Sequence, residues 1–276
     1  MNMNKSQFKD IAKKFGADLI GVAPIERFES LPPEQNPKSI FPQAKNMIIL
    51  GRKIPRGALR GIEEGTEFEL SYLNYGFYAL EDQFLSKTTY DVVIYLESLG
   101  FEAVPLFAYE FNGQVEAIPV ASGKPAPNVY VPQKFAAHAA GLGSVGRNGL
   151  FLTPEYGPMQ RFAMIISDVP LDGDEIKELG FCDKCNVCLK SCPLAAFNPQ
   201  DTNLPARRDN DLCKHCQNGA FQCSEGRFNV VDRQAAECSR SCLAALEERD
   251  LLTVKFQHKF RNKPAWKRDY FGDVIA

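Results

Sequence analysis

The sequence predicts a mixed α/β (α+β) protein built of two unlike parts. All nine cysteines lie between Cys182 and Cys242, and the chain before Cys182 contains none. The cysteine-free part alternates apolar runs with segments of helical period, whereas the cysteine-dense part offers little apolar material for a core. Metal ligation commonly replaces hydrophobic burial in such a segment. We therefore predict an α/β domain over residues 1–175, a metal-binding domain over residues 176–250, and a C-terminal tail over residues 251–276.

Hydrophobic periodicity predicts the elements of the first part in order. Apolar residues at helical spacing predict an N-terminal surface helix. NMIILG predicts a buried strand, and RFAMIIS predicts a second one. Between them, Glu69 to Leu99 has no proline and keeps an approximate helical period, so a long helix is predicted that ends at Gly100. VEAIPV and NVYVP predict short strands around the turn-rich ASGKPAP.

Charge and composition narrow the class of protein. The formal net charge is -2 and the pI is near 6.0, so no overall positive potential favours nucleic acid or anionic lipid as a partner. No apolar run approaches the roughly 20 residues of a membrane span, and the N-terminus does not resemble a signal peptide. We therefore expect a cytoplasmic protein without membrane contact.

GLGSVG, at residues 141–146, fits the pattern G-x-G-x-x-G that cradles a dinucleotide pyrophosphate. That function requires a strand before the loop, a helix after it, and an acidic residue about 20 positions on. Asp168 meets the last condition. However, KFAAHAA before the loop favours a helix, and RNGLFLTPEYGP after it is rich in Gly and Pro. The sequence therefore disfavours a Rossmann turn.

The strongest motif is the run C-x2-C-x2-C-x3-C-P that begins at Cys182 and ends at Pro193, with the spacing of bacterial ferredoxins. Its first three thiolates ligate one 4Fe-4S cluster, and its fourth, Cys192, ordinarily ligates another cluster. The run thus predicts two 4Fe-4S clusters, whose remaining ligands come from later in the chain. Those later cysteines are Cys213, Cys216, Cys223, Cys238 and Cys242.

We assign Cys182, Cys185, Cys188 and Cys242 to the first cluster. The second receives Cys192, Cys213, Cys238 and either Cys216 or Cys223, which leaves one thiol over. Two alternatives stay open. The pairs Cys182-x2-Cys185 and Cys213-x2-Cys216 suit a tetrahedral zinc site, and an irregular second motif is compatible with a single cluster.

The order of these motifs resembles the iron-sulfur and corrinoid family that contains epoxyqueuosine reductases and reductive dehalogenases. AAGLGSVGR precedes TPEYG, a strand that ends in SDVPL, and then the ferredoxin run. The resemblance implies a nitroreductase-like, cobalamin-binding domain followed by a small ferredoxin-like 4Fe-4S domain. It further implies that the glycine loop packs against cobalamin; the alternative is a tight turn that packs against the ferredoxin domain. The implied cofactor-binding residues are Gly141, Gly143, Gly146, Arg147, His138 and Arg161.

The resemblance also implies an oxidoreductase. An external low-potential donor supplies electrons through the clusters to cobalamin, where a small molecule or a modified base is reduced. Epoxyqueuosine reductases carry a proton-donating Asp and a His where this chain reads SYLNYGFYALED, which has neither at the matching positions. Reductive dehalogenases use a Tyr, so Tyr75, ahead of Tyr72 and Tyr78, is the catalytic candidate. The alternative function is a non-catalytic 4Fe-4S electron carrier that has lost the corrinoid.

The last segment, KFQHKFRNKPAWKRDYFGDVIA, interleaves basic and aromatic residues. Such interleaving suits stacking on bases and contact with phosphates in RNA. We expect instead that this tail wraps over the cysteine-dense domain. His215 and His258 show no metal-ligand spacing and are interpreted as structural or exposed.

Overall fold

The computed structural model describes residues 3–107, 118–222 and 231–275. The chain divides into two compact units, each assembled from several segments. The first unit contains Met1–Lys53, Leu80–Leu142 and Arg161–Lys177; the second contains Ile54–Ala79, Gly143–Gln160 and Glu178–Ala276. The predicted division of the chain at residues 175 and 250 stays a prediction.

In chain order, the helices of the described residues are α1 (Lys5–Lys14), α2 (Arg60–Glu64), α3 (Ser86–Ser98), α4 (Gln133–Ala139), α5 (Val187–Lys190), α6 (Asn210–Lys214) and α7 (Glu237–Glu248). The strands are β1 (Leu19–Pro24), β2 (Asn46–Lys53), β3 (Ala103–Phe107), β4 (Ser144–Val145), β5 (Phe151–Leu152), β6 (Gln160–Ser167), β7 (Phe221–Gln222), β8 (Val231–Asp232), β9 (Lys267–Arg268) and β10 (Val274–Ile275). The mixed α/β class is confirmed.

The first unit is organised around a four-stranded sheet in the order β1-β2-β6-β3. The central strands β2 and β6 are the two that NMIILG and RFAMIIS predict, and their apolar residues are fully buried. Helices α1 and α3 cover the sheet, and Phe8, Val92 and Leu96 pack with Ile48 and Ile165 in one core. Asn4 caps α1 by accepting a hydrogen bond from the Ser6 N–H (2.8 Å), which satisfies one of the free amides at the helix start.

The predicted long helix is confirmed over residues 72–98. Two π-helical turns, Leu73–Phe77 and Leu80–Leu85, interrupt its regular winding before α3 begins. Gly100 follows α3 with φ of +86°, and its N–H donates to the Glu97 carbonyl at 2.9 Å. A glycine in this left-handed conformation ends the helix as the sequence predicts.

The strand predicted for NVYVP is wrong. Residues 128–132 are irregular, and Asn128 has a φ of +68° that no strand accommodates. Prolines at both ends of the segment also remove amide donors that a strand ladder needs. The other predicted strand, VEAIPV, lies partly outside the described residues, and its described part, 118–120, is not a strand.

Most elements of the second unit are short. Two-stranded ribbons pair β4 with β5, β7 with β8, and β9 with β10. One core cluster includes Cys188 and Cys238 beside Leu189, Phe197 and Ala236. Cysteines thus pack among apolar side chains, of which this unit buries more than its composition predicts.

The C-terminal tail packs within the second unit. Phe260 is completely buried, with the guanidinium of Arg60 5.3 Å from its ring centroid. The Trp266 Nε1–H donates to the Ile62 carbonyl at 2.7 Å, and Arg261 forms an ion pair with Glu237 of α7 at 2.9 Å. The tail thus contacts both α2 and the cysteine-dense part.

Candidate functional site

Eight cysteines line two separate cavities of the second unit. The first cavity is lined by Cys182, Cys185, Cys188 and Cys242. The second cavity is lined by Cys192, Cys213, Cys216 and Cys238. The ninth, Cys223, lies outside the described residues. The structure therefore brings together the two sets that the spacing predicts, with Cys216 as the fourth thiol of the second set, while ligation by these thiols stays a prediction.

Two short helices distribute cysteines between the cavities. On α7, Cys238 and Cys242 are four residues apart and so lie on one face of the helix, one facing each cavity. Cys188 of α5 and Cys192, just beyond it, are likewise four apart and face different cavities. Each cavity thus receives a thiol from the α5 region and one from α7.

A tight turn brings the first cysteines of the ferredoxin run together. The Cys185 N–H donates to the Cys182 carbonyl at 3.1 Å, and Lys184 between them has a left-handed φ of +54°. A residue with a left-handed backbone conformation allows the chain to reverse its direction within a few positions. This reversal is what lets Cys182, Cys185 and Cys188 face one cavity.

Burial raises the pKa of the cysteine thiols. The pKa of Cys188 rises to about 12 because the thiol is desolvated and because Cys182 and Cys185 lie close by. Desolvation also raises the pKa of Cys238 to about 12 and that of Cys242 well above its usual range. Since four thiolates in one cavity repel one another, they require a cationic partner, and a metal centre provides one.

The structure does not support the zinc alternative. It places Cys182 and Cys185 at one cavity and Cys213 and Cys216 at the other. Tetrahedral zinc requires four ligands on one ion, with sulfur about 2.3 Å from the metal. Within the described ranges, no three His, Cys, Asp or Glu side chains converge to hold a single metal ion. A 4Fe-4S cluster, in contrast, is held by four thiolates on four separate irons.

The first cavity also offers hydrogen-bond donors to sulfur. The backbone N–H of Arg147 donates to the Cys182 Sγ at 3.4 Å. Asn148 lines the same cavity with an exposed fraction of 1%, and its Nδ2 has no hydrogen-bond partner among the described residues. A buried amide without a partner is costly. Because cluster sulfurs accept such hydrogen bonds, the residues present fit an iron-sulfur cluster.

The glycine loop is preceded by helix α4, contains strand β4 and is followed by strand β5. This order is the reverse of a dinucleotide-binding turn, and the prediction against a Rossmann turn is confirmed. A Cβ on Gly143 would lie 2.0 Å from the Leu152 carbonyl oxygen in the β4–β5 ribbon, and one on Gly141 would lie 2.3 Å from the Glu175 carbonyl oxygen. The chain's own backbone therefore accounts for these two glycines, and contact between the loop and a corrin stays a prediction.

The candidate tyrosines differ in their surroundings. Tyr75 lies in the first π-helical turn with an exposed fraction of 55%. Tyr72 is completely buried, and its hydroxyl donates to the Asp232 Oδ2 at 2.7 Å, so it is held as part of the core. Tyr78 is exposed. A catalytic role for Tyr75 stays a prediction.

The other predicted cofactor residues lie in both units. In the first unit, His138 is half-buried at the end of α4, and Arg161 of β6 forms an ion pair with Glu81 at 3.4 Å. In the second unit, Arg147 lines the first cavity. A Cβ on Gly146 would lie 2.8 Å from a methyl of Leu152, which gives this glycine too a packing role.

Sequence reasoning missed several polar residues of the second unit. In the sequence, Asn148 looks like an ordinary turn residue and Arg233 like an ordinary charged residue. The structure buries both of them beside cysteines. Arg240 of α7 is completely buried and binds Glu63 at 2.8 Å and Glu237 at 2.9 Å. For Arg233 and Arg240 the available signal was their position on either side of Cys238, whereas Asn148, which precedes all cysteines, gave none.

No family model matches the chain. Tetrachloroethene reductive dehalogenase of Desulfitobacterium hafniense is 29% identical over 117 residues, which cover 41% of this chain and 18% of the relative. Epoxyqueuosine reductase of Pseudomonas aeruginosa is 37% identical over 67 residues, which cover 24% of this chain and 19% of the relative. The chain thus matches less than a fifth of the length of each of these two relatives.

The fold is similar to that of solved epoxyqueuosine reductases. A selenomethionine-labelled epoxyqueuosine reductase aligns with a TM-score of 0.57 at 18% identity, covering 86% of this chain and 64% of that protein. An epoxyqueuosine reductase solved with an epoxyqueuosine-modified tRNA-Tyr stem loop aligns with a TM-score of 0.54 at 17% identity, covering 87% of this chain and 63% of that protein. The tRNA stem loop belongs to that neighbour. Our prediction from net charge against a nucleic-acid partner stays a prediction for this chain.

Among the described residues no helix has the length and apolar character to cross a membrane. The two kinds of relative are both named as reductases, and they are the kinds that the order of motifs predicts. The chain therefore has homologues among the epoxyqueuosine reductases and the reductive dehalogenases and is similar to them in fold, which confirms the resemblance inferred from its sequence.

Proposed function

We propose that this chain is an iron-sulfur oxidoreductase that holds a 4Fe-4S cluster in each cysteine cavity and passes low-potential electrons. The observation that carries the proposal is the division of eight cysteines into two cavities with four thiols each. Four thiolates are the ligand set of a 4Fe-4S cluster. The reductase names of the relatives support a redox role for the chain.

The ligands of the first cluster would be Cys182, Cys185, Cys188 and Cys242, and those of the second Cys192, Cys213, Cys216 and Cys238. When bound, each cluster supplies one-electron redox chemistry. Because Cβ atoms four residues apart on a helix are about 6 Å apart, α7 holds the two sites close together. This proximity suits electron transfer between them.

Apolar side chains limit the access of water to both sites, and hydrogen-bond donors lie beside the sulfurs. Leu152, Phe181 and Leu246 wall the first cavity, and Leu194, Phe197 and Ala236 wall the second. The Arg147 amide donates to the Cys182 sulfur, and Asn148 Nδ2 is available as a further donor in that cavity. Hydrogen bonds to sulfur and limited solvent exposure are two determinants of cluster potential.

We further propose that the electrons reach a cobalamin, at which a small molecule or a modified base is reduced. The order of the motifs supports this step, with Gly141, Gly143, Gly146, Arg147, His138 and Arg161 as contact residues and Tyr75 as proton donor. Packing within the chain is a second reason for these glycines, because carbonyl oxygens lie against Gly141 and Gly143 and the Leu152 side chain lies against Gly146.

Metal analysis tests the two-cluster proposal. After anaerobic purification we expect about eight irons and about eight acid-labile sulfides per chain, because each 4Fe-4S cluster contributes four of each. About four of each would show a single cluster. Zinc without sulfide would contradict the proposal altogether.

A corrinoid titration distinguishes the enzyme from the electron carrier. We expect the reduced chain to bind one equivalent of cobalamin. The absorbance spectrum of the cobalamin reports the binding. Gly143→Val is unsuitable as a test of contact, since the new side chain would collide with the Leu152 carbonyl and disrupt the β4–β5 ribbon with or without a ligand. His138→Ala is the better variant because it leaves that ribbon unchanged. Failure of the unaltered, iron-loaded chain to bind cobalamin would favour the non-catalytic carrier.

A further inference from the structure

Arg233 is a buried arginine in the wall of the second cavity. It follows β8, and its exposed fraction is 7%. It lines the cavity together with Cys192, Cys213, Cys216 and Cys238. Its Nη1 donates to the Asn148 carbonyl at 2.9 Å. The side chain is thus held in place beside four thiols.

The charge of Arg233 has no acidic partner among the residues that the structure describes. Glu237 lines the same cavity, but Arg240 and Arg261 each bind its Oε2 at 2.9 Å. Arg233 therefore contacts a neutral carbonyl and lines the cavity that also holds four cysteines. A buried charge is stable only when an opposite charge or strong hydrogen bonds compensate it. This arrangement indicates a negatively charged occupant of the second cavity.

The arginine of the first cavity is in a different situation. Arg147 is only half-buried, and its Nη1 donates to the Asp201 carbonyl at 2.8 Å. Its positive charge also contributes, after several hydrogen bonds, to lowering the pKa of the Asp201 carboxyl. Solvent and a neighbouring carboxylate weaken the field of such a charge, whereas a buried charge is screened much less. The positive charge of Arg233 is therefore screened less than that of Arg147.

Cys238 lines the same cavity as Arg233, and a nearby guanidinium favours the charged thiolate form of a cysteine. The same charge that favours a thiolate also favours any other gain of negative charge in the cavity.

We propose that Arg233 sets the reduction potential of the second cluster and holds it above the value that four thiolates alone would allow. This inference rests on the proposed function, since it requires a cluster in the second cavity. Reduction adds one electron to that site, taken from a low-potential one-electron donor, and no bond is made or broken. A buried positive charge stabilises the added negative charge, so it raises the potential.

A redox titration of the full-length, iron-loaded chain tests the proposal, with dithionite as reductant and electron paramagnetic resonance as readout. The signal of the second cluster is the one that Cys192→Ala abolishes. In Arg233→Met we expect the reduction equilibrium of this cluster to become at least tenfold less favourable, which is about 59 mV for one electron. The first cluster should keep its potential.

Two further variants separate charge from structure. Arg233→Lys keeps the positive charge and should restore most of the potential of the second cluster. Arg207→Met removes a positive charge from an exposed position of the same unit and should leave both potentials unchanged.

An unchanged second potential in an Arg233→Met protein with full iron content would overturn the proposal, as would equal shifts in both clusters. If Arg233→Met lacks the second cluster, Arg233→Lys decides. A lysine variant that keeps the cluster at a near-normal potential supports the role of the charge, and one that also lacks it shows that the bond to Asn148 matters instead. Absence of iron and sulfide from the unaltered protein would refute the proposed function.

Discussion

Replacing Cys192 with alanine is expected to remove the second cluster and leave the first. Cys192 faces the second cavity, whereas Cys182, Cys185 and Cys188 of the same sequence run face the first. The variant should therefore lose about four irons and four sulfides per chain, since one 4Fe-4S cluster contains four of each. Electron paramagnetic resonance of the reduced protein should show one signal missing and the other unchanged.

Cys242→Ala is the matched control, because it removes a thiol of the first cavity from the helix that also carries Cys238. We expect it to abolish the opposite signal. Loss of the same signal in both variants would mean that Cys192 and Cys242 share a cluster, which contradicts the grouping in the structure. Full iron content in Cys192→Ala would show that this thiol is not a ligand.

Replacing Arg240 with methionine is expected to destabilise the second unit strongly. Arg240 is completely buried and bridges Glu63 and Glu237, while its Nη1 donates to the Asn218 carbonyl at 3.0 Å. Methionine fills part of the volume of the arginine side chain, but it leaves the buried carboxylates of Glu63 and Glu237 with less positive charge to balance them. Breaking a buried ion pair in this way costs about 3–5 kcal/mol, so the free energy of unfolding in guanidinium chloride should fall by that amount.

Lys87→Met is the control for this measurement. Lys87 forms an exposed pair with Asp91 at 2.6 Å, and such surface pairs contribute about 0–1 kcal/mol. Both proteins should be compared at equal iron content, because cluster loss alone would lower stability. A loss below about 1 kcal/mol in Arg240→Met would show that Arg261, which also binds Glu63 and Glu237, neutralises both carboxylates by itself.

The sequence allowed the cysteine sets to be predicted almost completely. Thiol spacing is a local property, so the run from Cys182 to Cys192 already indicates which cysteine turns toward another site. The choice between Cys216 and Cys223 depends on how the chain folds back between α6 and α7, and spacing carries no signal for it. The structure places Cys216 at the second cavity.

Features that depend on tertiary packing were not predictable in the same way. Val129 and Tyr130 have high strand propensity, yet the prolines around them and the left-handed Asn128 exclude a strand. Gly143 fits a ligand-binding pattern, but the structure gives another reason for a glycine at this position. The carbonyl oxygen of Leu152, nine residues on, leaves no room for a Cβ. The burial of Arg233 follows from contacts with distant segments, which periodicity cannot report.

The position of α7 has a consequence for the order of events during synthesis. Each cavity takes one cysteine from this helix, and the two cysteines are separated by a single turn. Neither set of four is complete until the ribosome has released α7, and both are completed by the docking of the same helix. Insertion of the proposed clusters would thus be tied to the docking of one helix, and a nascent chain that stops before α7 has two incomplete sets of cysteines open to oxidation.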